Sequence, residues 1–222
     1  MKVHLLRSRM SWSKIVLKSS GGHLMRLRRL STLTLALTAT AAFAIPSGSL
    51  APDFQGTDSN GKTQSLSQYR GKYVVLEWAN EGCPYEQKLY KSGTMEKLQK
   101  EWTAKGVVWL SILSSAPGQQ GNVTAAQENN YLKTMNAAPT AAILDPHGTI
   151  GHLYEAKTTP HMFVIDPTGK VIYQGAIDDK PSPDPDTLPG AHNYVTAALN
   201  EAMSGKAVST PVTRSYGCSV KY

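Results

Sequence analysis

The continuous apolar run Tyr73-Val74-Val75-Leu76 continues through Glu77-Trp78 into Asn80-Glu81-Gly82-Cys83-Pro84-Tyr85-Glu86. A run of this kind is buried on both faces of a sheet, and Gly82 and Pro84 mark a turn from that strand into a helix. Cys83 therefore stands at or beside an N-cap, with Pro84 at the first helical position, where no N–H is needed. Unpaired backbone N–H groups and the positive end of the helix dipole favour thiolate over thiol there, and thiolate is the nucleophilic form. A chain built around this segment is expected to form an α/β domain with a reactive cysteine at the carboxyl end of a central strand.

The rest of the chain supplies elements in a matching order. Ser59-Asn60-Gly61-Lys62 reads as a hairpin turn. A helical region runs from Cys83 to about Lys105, with an apolar stripe at Tyr85, Leu89, Met95, Leu98 and Trp102 and a bend at Gly93. Buried strands follow at Val107–Leu113 and Ala141–Leu144, separated by a helix over Thr124–Met135. Thr158-Thr159-Pro160-His161 precedes a strand at Met162–Asp166, and Val171–Ala176 completes a hairpin. A proline-rich surface loop spans Asp178–Pro189, a last helix spans Ala191–Met203, and residues 205–222 form a tail without periodicity. Strands alternating with helices imply a mixed sheet flanked by helices on both faces.

The formal charge of +7 suggests a nucleic-acid binder, but its distribution excludes that class. Residues 1–44 carry eight of the 23 basic residues and no acid, leaving 15 bases against 16 acids in the body, where Arg70 and Arg214 are the only arginines. Met25-Arg26-Leu27-Arg28-Arg29, the apolar stretch from Leu30 to Leu37 and Ala42-Phe43-Ala44 have the three parts of a secretory signal. The expectation is a start at Met25, cleavage after Ala44 and export to the periplasm, with Arg28-Arg29 hinting at twin-arginine transport. The apolar part is too short for a bilayer span, and no later segment approaches that length. The domain is placed at residues 45–204 and the tail, with Cys218, at 205–222.

Cys83 and Cys218 are the two cysteines. A permanent bridge would close a loop of about 135 residues, worth about 4–5 kcal/mol in the chain-entropy picture, while joining a core site to a polar tail. A reversible pair is the competing reading. His147, His152 and His192 lack ligand spacing, the acidic group Asp178, Asp179, Asp184 and Asp186 lacks a calcium-loop pattern and reads as a solvated turn, and neither metal nor organic cofactor is expected.

At this point the chain resembles the thioredoxin fold, and within it the AhpC/TSA redoxins, more closely a peroxiredoxin-like branch. The strand, turn and helix-start cysteine carry the match, with Thr159-Pro160 resembling the cis-proline loop beside the active cysteine and Glu77 standing where thioredoxins hold a buried proton-moving acid. The resemblance departs at Cys83-Pro84-Tyr85-Glu86, which lacks the second cysteine of a Cys-x-x-Cys motif, and at Asn80, where peroxidases place Thr or Ser. It implies catalytic roles for Cys83, Cys218, Glu77 and Asn80, with Thr159, Pro160 and His161 meeting substrate and His161 tuning Cys83. The substrate would be a peroxide or a protein disulfide, with Cys218 as resolving cysteine and an unknown thiol as reductant. The alternatives are a thiol-disulfide oxidoreductase acting on exported proteins, or a redox-inert binding or chaperone module with a structural Cys83–Cys218 bridge.

Overall fold

The computed structural model describes residues 45–222; the leader, with Met25 and the cleavage site after Ala44, lies outside the described residues. Strands β1 (Gln55–Asp58) and β2 (Thr63–Ser65) form the expected hairpin. Asp58 closes its turn by accepting the backbone N–H groups of Asn60 and Lys62, both at 2.9 Å. The apolar run becomes β3 (Val74–Trp78), buried at every position, and Cys83 caps α1 (Pro84–Lys91). The long helix expected as far as Lys105 is instead two helices, α1 and α2 (Thr94–Ala104). Gly93 separates them at φ 73°, a left-handed conformation that cannot continue a right-handed helix.

Strand β4 (Val108–Leu113) leads to α3 (Ala125–Thr134), which opens on a capping box between Thr124 and Gln127. Then come β5 (Ala141–Leu144), α4 (Thr149–Leu153), β6 (Thr158–Thr159), β7 (His161–Ile165), β8 (Val171–Gly175), α5 (Tyr194–Met203) and β9 (Cys218–Ser219). The main sheet has the order β2-β1-β5-β4-β3-β7-β8, with β3, β4 and β5 parallel and the remaining pairs antiparallel. This is the thioredoxin-like mixed sheet expected above.

Alternation along the strands divides the core. Val75, Trp109, Met162, Val164 and Tyr173 face a helical layer made by Leu89 and Tyr90 of α1, Met95, Leu98 and Trp102 of α2, and Val195 and Leu199 of α5. Leu76, Trp78, Leu110, Ile112 and Phe163 face the other way, onto Ile150 and Tyr154 at α4 and onto Phe54 and Leu66. The two coverings are unequal: the second face has one short helix and is completed by irregular chain.

The tail departs most from expectation. It is ordered along the domain, because non-local pairing does what local periodicity does not. The Gln174 N–H donates to Pro211 O and the Thr213 N–H to Gln174 O, each at 3.0 Å, and β9 then pairs antiparallel with β6. Beyond it, Tyr222 stacks on His152 at 3.9 Å and donates to Ala156 O at 2.8 Å. The acidic segment is also corrected at one residue. Asp178 is buried and accepts the Tyr216 hydroxyl at 2.5 Å, so it anchors the tail rather than belonging to a solvated turn.

Candidate active site

Cys83 sits at the junction of three pieces of chain: the end of β3, the start of α1 and the loop between β6 and β7. Its backbone is extended (φ −80°, ψ 123°) and Pro84 occupies the first turn of α1. The loop before it is held by Asn80, which is buried, accepts the Gly82 N–H at 2.9 Å and donates to Gln120 O at 3.2 Å. The Asn80 amide therefore braces the cysteine loop. Its carbonyl and one amide hydrogen are engaged with backbone, and the second amide hydrogen is the group through which the catalytic role expected of it would act.

Opposite Cys83 lies Thr159-Pro160, whose peptide bond is cis. The Cys83 thiol donates to Thr159 O at 3.0 Å. Thr159 is also the register partner of Cys218 across β6 and β9, so the tail cysteine is seated on the strand that faces Cys83. Gly217 makes this approach possible. At φ +130° it places the position of a would-be Cβ 2.1 Å from Thr159 O. Both cysteines are free thiols, and Cys83 is fully covered.

Burial pushes the Cys83 thiol up, but it is outweighed by hydrogen bonding from the Cys218 side chain, the Thr159 side chain and the backbone N–H groups of Glu86 and Cys218, which holds it below the ordinary thiol value. Cys218 moves the other way. Its own burial and the neighbouring Cys83 push it up to about 11. The two thiols are thereby differentiated: Cys83 is the easier to ionise, and Cys218 keeps its proton and donates. The Thr159 hydroxyl is buried with no hydrogen-bond partner among the described residues while Cys83 is a thiol; its bond to the cysteine is one that the thiolate accepts.

Glu77 lies under the site on the helical side of β3, fully buried. It accepts from Tyr90 Oη at 2.8 Å, Gln99 Nε2 at 3.2 Å, Trp109 Nε1 at 2.6 Å and Ser111 Oγ at 2.9 Å. Burial raises its pKa, and these four donors oppose the rise. His161 is not brought to Cys83. Register pairs it with Trp78, and it packs on Phe163 at 4.7 Å, on the opposite face of the sheet from Glu77 and Met162. Burial and then the Lys157 charge bring its pKa down to about 4, so it is a neutral acceptor for the Lys157 N–H.

The residue that sequence reasoning passed over is Glu86. It is fully buried, and neither carboxyl oxygen has a hydrogen-bond partner among the described residues. A signal was available: Glu86, Leu89 and Tyr90 stand at i, i+3 and i+4, which places Glu86 on the inward stripe of α1 rather than in solvent. Glu128 and Tyr131 of α3 close the same region, Glu128 buried and the Tyr131 hydroxyl without a hydrogen-bond partner among the described residues.

Among curated proteins, the chain is 24% identical over 131 residues to the "Probable glutathione peroxidase 8-B" of Xenopus laevis, covering 54% of this chain and 62% of that protein's length. It is 30% identical over 128 residues to the "Thiol-disulfide oxidoreductase ResA" of Bacillus thuringiensis subsp. konkukian, covering 57% of this chain and 68% of that relative. Among solved structures, an uncharacterized conserved protein from Geobacillus kaustophilus superposes with a TM-score of 0.70 at 22% identity, over 80% of this chain and 93% of that one, a likeness of fold. The sequence model of the AhpC/TSA family matches residues 47–174, from the first described turn into β8 and across Cys83 and the cis-proline loop. The chain belongs to the AhpC/TSA family.

Proposed function

We propose that this chain is an exported two-cysteine redoxin in which Cys83 reduces a peroxide and Cys218 resolves the product. The observation that carries the reading is the seating of Cys218 opposite Thr159, on the strand whose carbonyl meets the Cys83 thiol. The Cys83 thiolate attacks one peroxide oxygen; an S–O bond forms, the O–O bond breaks and the leaving oxygen takes a proton. Sulfur is oxidised to sulfenic acid and the peroxide is reduced to water or an alcohol. The Cys218 thiol then attacks the sulfenic sulfur, water leaves and a Cys83–Cys218 disulfide forms. An external thiol restores both groups. Residues 45–204 form the catalytic domain in this reading, and 205–222 carry the resolving cysteine. Removal of residues 1–44 during export would deliver it to the periplasm, and no helix among the described residues is long and apolar enough to cross a membrane.

A second reading, reduction or exchange of protein disulfides, draws support from one further feature. The β6 edge beside the cis-proline already holds an extended, cysteine-bearing segment, β9, and a substrate peptide would pair in the same way once the tail lifts.

The test is to expose the reduced protein to hydrogen peroxide, count free thiols and map disulfides by mass spectrometry, for wild type and Cys218→Ser. Rapid formation of the Cys83–Cys218 bridge, with the variant stopping at sulfenic acid, is the expected result. If peroxide leaves Cys83 reduced while a cysteine-containing peptide disulfide forms a mixed disulfide with it, the second reading replaces the first. A bridge that is present from the outset and resists reductant under native conditions supports a structural pair in a redox-inert binding module.

A further inference from the structure

Beneath Cys83 there is more polar chemistry than attack and resolution by two cysteines require. Glu86 stands three residues beyond Cys83, at the inner face of the first turn of α1, with its backbone N–H directed to the cysteine sulfur and its carboxyl group buried. Both carboxyl oxygens lack a hydrogen-bond partner among the described residues. Glu77, its neighbour on β3, is in contrast saturated by four donors. A buried carboxylate without a partner is costly enough that such a group takes up a proton instead. The titratable groups facing Glu86 deepen the bias: Glu77 of β3, Cys83 at the head of α1 and Glu128 of α3 all oppose its charge. Tyr90 of α1, Tyr131 of α3 and Tyr216 of the tail are hydroxyls whose ionisation Glu86 opposes, and the Cys218 thiol is opposed in the same way. Among the described residues, no cation stands with the groups that act on it.

From this arrangement, and resting on the redox reading of Cys83, we propose that Glu86 holds the proton that oxidation of Cys83 consumes. Two adjacent buried anions disfavour one another, so the pair Cys83–Glu86 carries one negative charge at a time. In the reactive state the charge is on sulfur and the proton on Glu86. When the thiolate attacks a peroxide, the S–O bond forms, the O–O bond breaks, and the departing oxygen takes the Glu86 proton; the products are sulfenic acid, water or alcohol, and a Glu86 carboxylate. In the resolving step the Cys218 proton passes to Glu86 and on to the departing hydroxide, leaving the disulfide, water and the carboxylate. Reduction of the disulfide by an external dithiol yields the Cys83 thiolate, the Cys218 thiol and one proton, which returns to Glu86. The Tyr131 hydroxyl, without a hydrogen-bond partner among the described residues, is a donor available to the carboxylate in the oxidised state. Glu86 thus stands at the position of the absent second cysteine of a dithiol motif and supplies a proton where that cysteine would supply a thiol.

The experiment compares reactions that differ in their need for a proton. Alkylation of Cys83 by iodoacetamide releases iodide, which needs none. Peroxide, or a dialkyl disulfide, releases a basic leaving group that does. In a Cys218→Ser background, Glu86→Gln should keep the alkylation rate within about threefold and slow oxidation by about 100-fold or more, the usual scale of general acid catalysis. Its oxidation rate should also rise on lowering pH, as solvent protons substitute. Equal slowing of alkylation and oxidation, or no slowing of either, overturns the role of Glu86 while leaving the redox reading standing. If wild type alkylates but reacts with neither oxidant, the redox reading falls and takes this inference with it. Infrared difference spectra of the unmodified protein supply a readout independent of any variant. A protonated-carboxyl band should be lost when Cys83 is oxidised, and its persistence refutes the proposal.

Discussion

Replacing Gly217 by alanine isolates what the docked tail does. The added methyl group would lie 2.1 Å from Thr159 O and 2.8 Å from its carbonyl carbon, both backbone atoms of the loop that ends in the cis-proline. Neither yields as a flexible side-chain tip would, and φ +130° is itself unsuited to an L side chain. The relief open to the chain is for β9 to lift from β6. Lifting gives up the local pairing, including the Val220 N–H bond to Lys157 O at 3.1 Å. With two or three such bonds at about 1 kcal/mol each, the substitution is worth about 2–3 kcal/mol against the docked state.

The reduced protein caps its cost at this lost pairing by undocking, whereas a Cys83–Cys218 disulfide holds the tail in place and bears the whole clash and the positive-φ strain. Each increment of about 1.4 kcal/mol by which that strain exceeds the lost pairing disfavours the disulfide about tenfold and moves its potential to less negative values by about 30 mV. Equilibration of wild type and Gly217→Ala in glutathione buffers of graded ratio, with quenching and counting of the bridged form, measures the shift. Gly205→Ala is the matched control. Gly205 also has positive φ, +73°, but nothing lies within 4 Å of its would-be Cβ. A shift below about 10 mV in Gly217→Ala, or an equal shift in the control, refutes the argument that seating of the tail on Thr159 poises Cys218.

Two further outcomes follow from the buried titratable groups. Burial, then the charges of Glu81 and Glu77, raise Glu128 from an ordinary carboxyl value of 4.5 to about 7. The folded state binds this proton more tightly than the unfolded chain, so the associated stability is full below pH 4.5 and is lost as pH rises through about 7. Glu128→Gln should consequently stabilise the protein by up to about 3 kcal/mol at pH 8 and by little at pH 4, measured by urea denaturation at both; equal effects at the two pH values would refute the assignment. His161→Gln should leave the pH profile of Cys83 alkylation unchanged, since His161 faces Phe163 across the sheet from the thiol-bearing layer, and a displaced profile would show that the two groups communicate.

What the sequence disclosed and what it withheld divide along physical lines. β3 was legible because burial on both faces leaves an unbroken apolar run, and the hairpin at Asn60-Gly61 and the helix start at Thr124 were legible because their signals are local. The side that His161 faces depends on a parity of one residue after Pro160, which composition does not reveal but register with Trp78 fixes. The tail's order comes from contacts with residues far back in the chain, admitted by the absence of a side chain at Gly175 and Gly217; a glycine in an unpatterned segment has many readings until its neighbour is known. Glu86 lay between these cases. A glutamate in the first turn of a helix is ordinarily a solvated partner of the helix dipole, and only the company of Leu89 and Tyr90 on one stripe turns it inward, beneath Cys83 and beside Glu77. The same spacing that hides the carboxyl group removes its hydrogen-bond partners and holds it neutral. A thiolate site with one cysteine in its helix turn thereby acquires a proton donor from the residue that, by charge alone, would have been assigned to the surface.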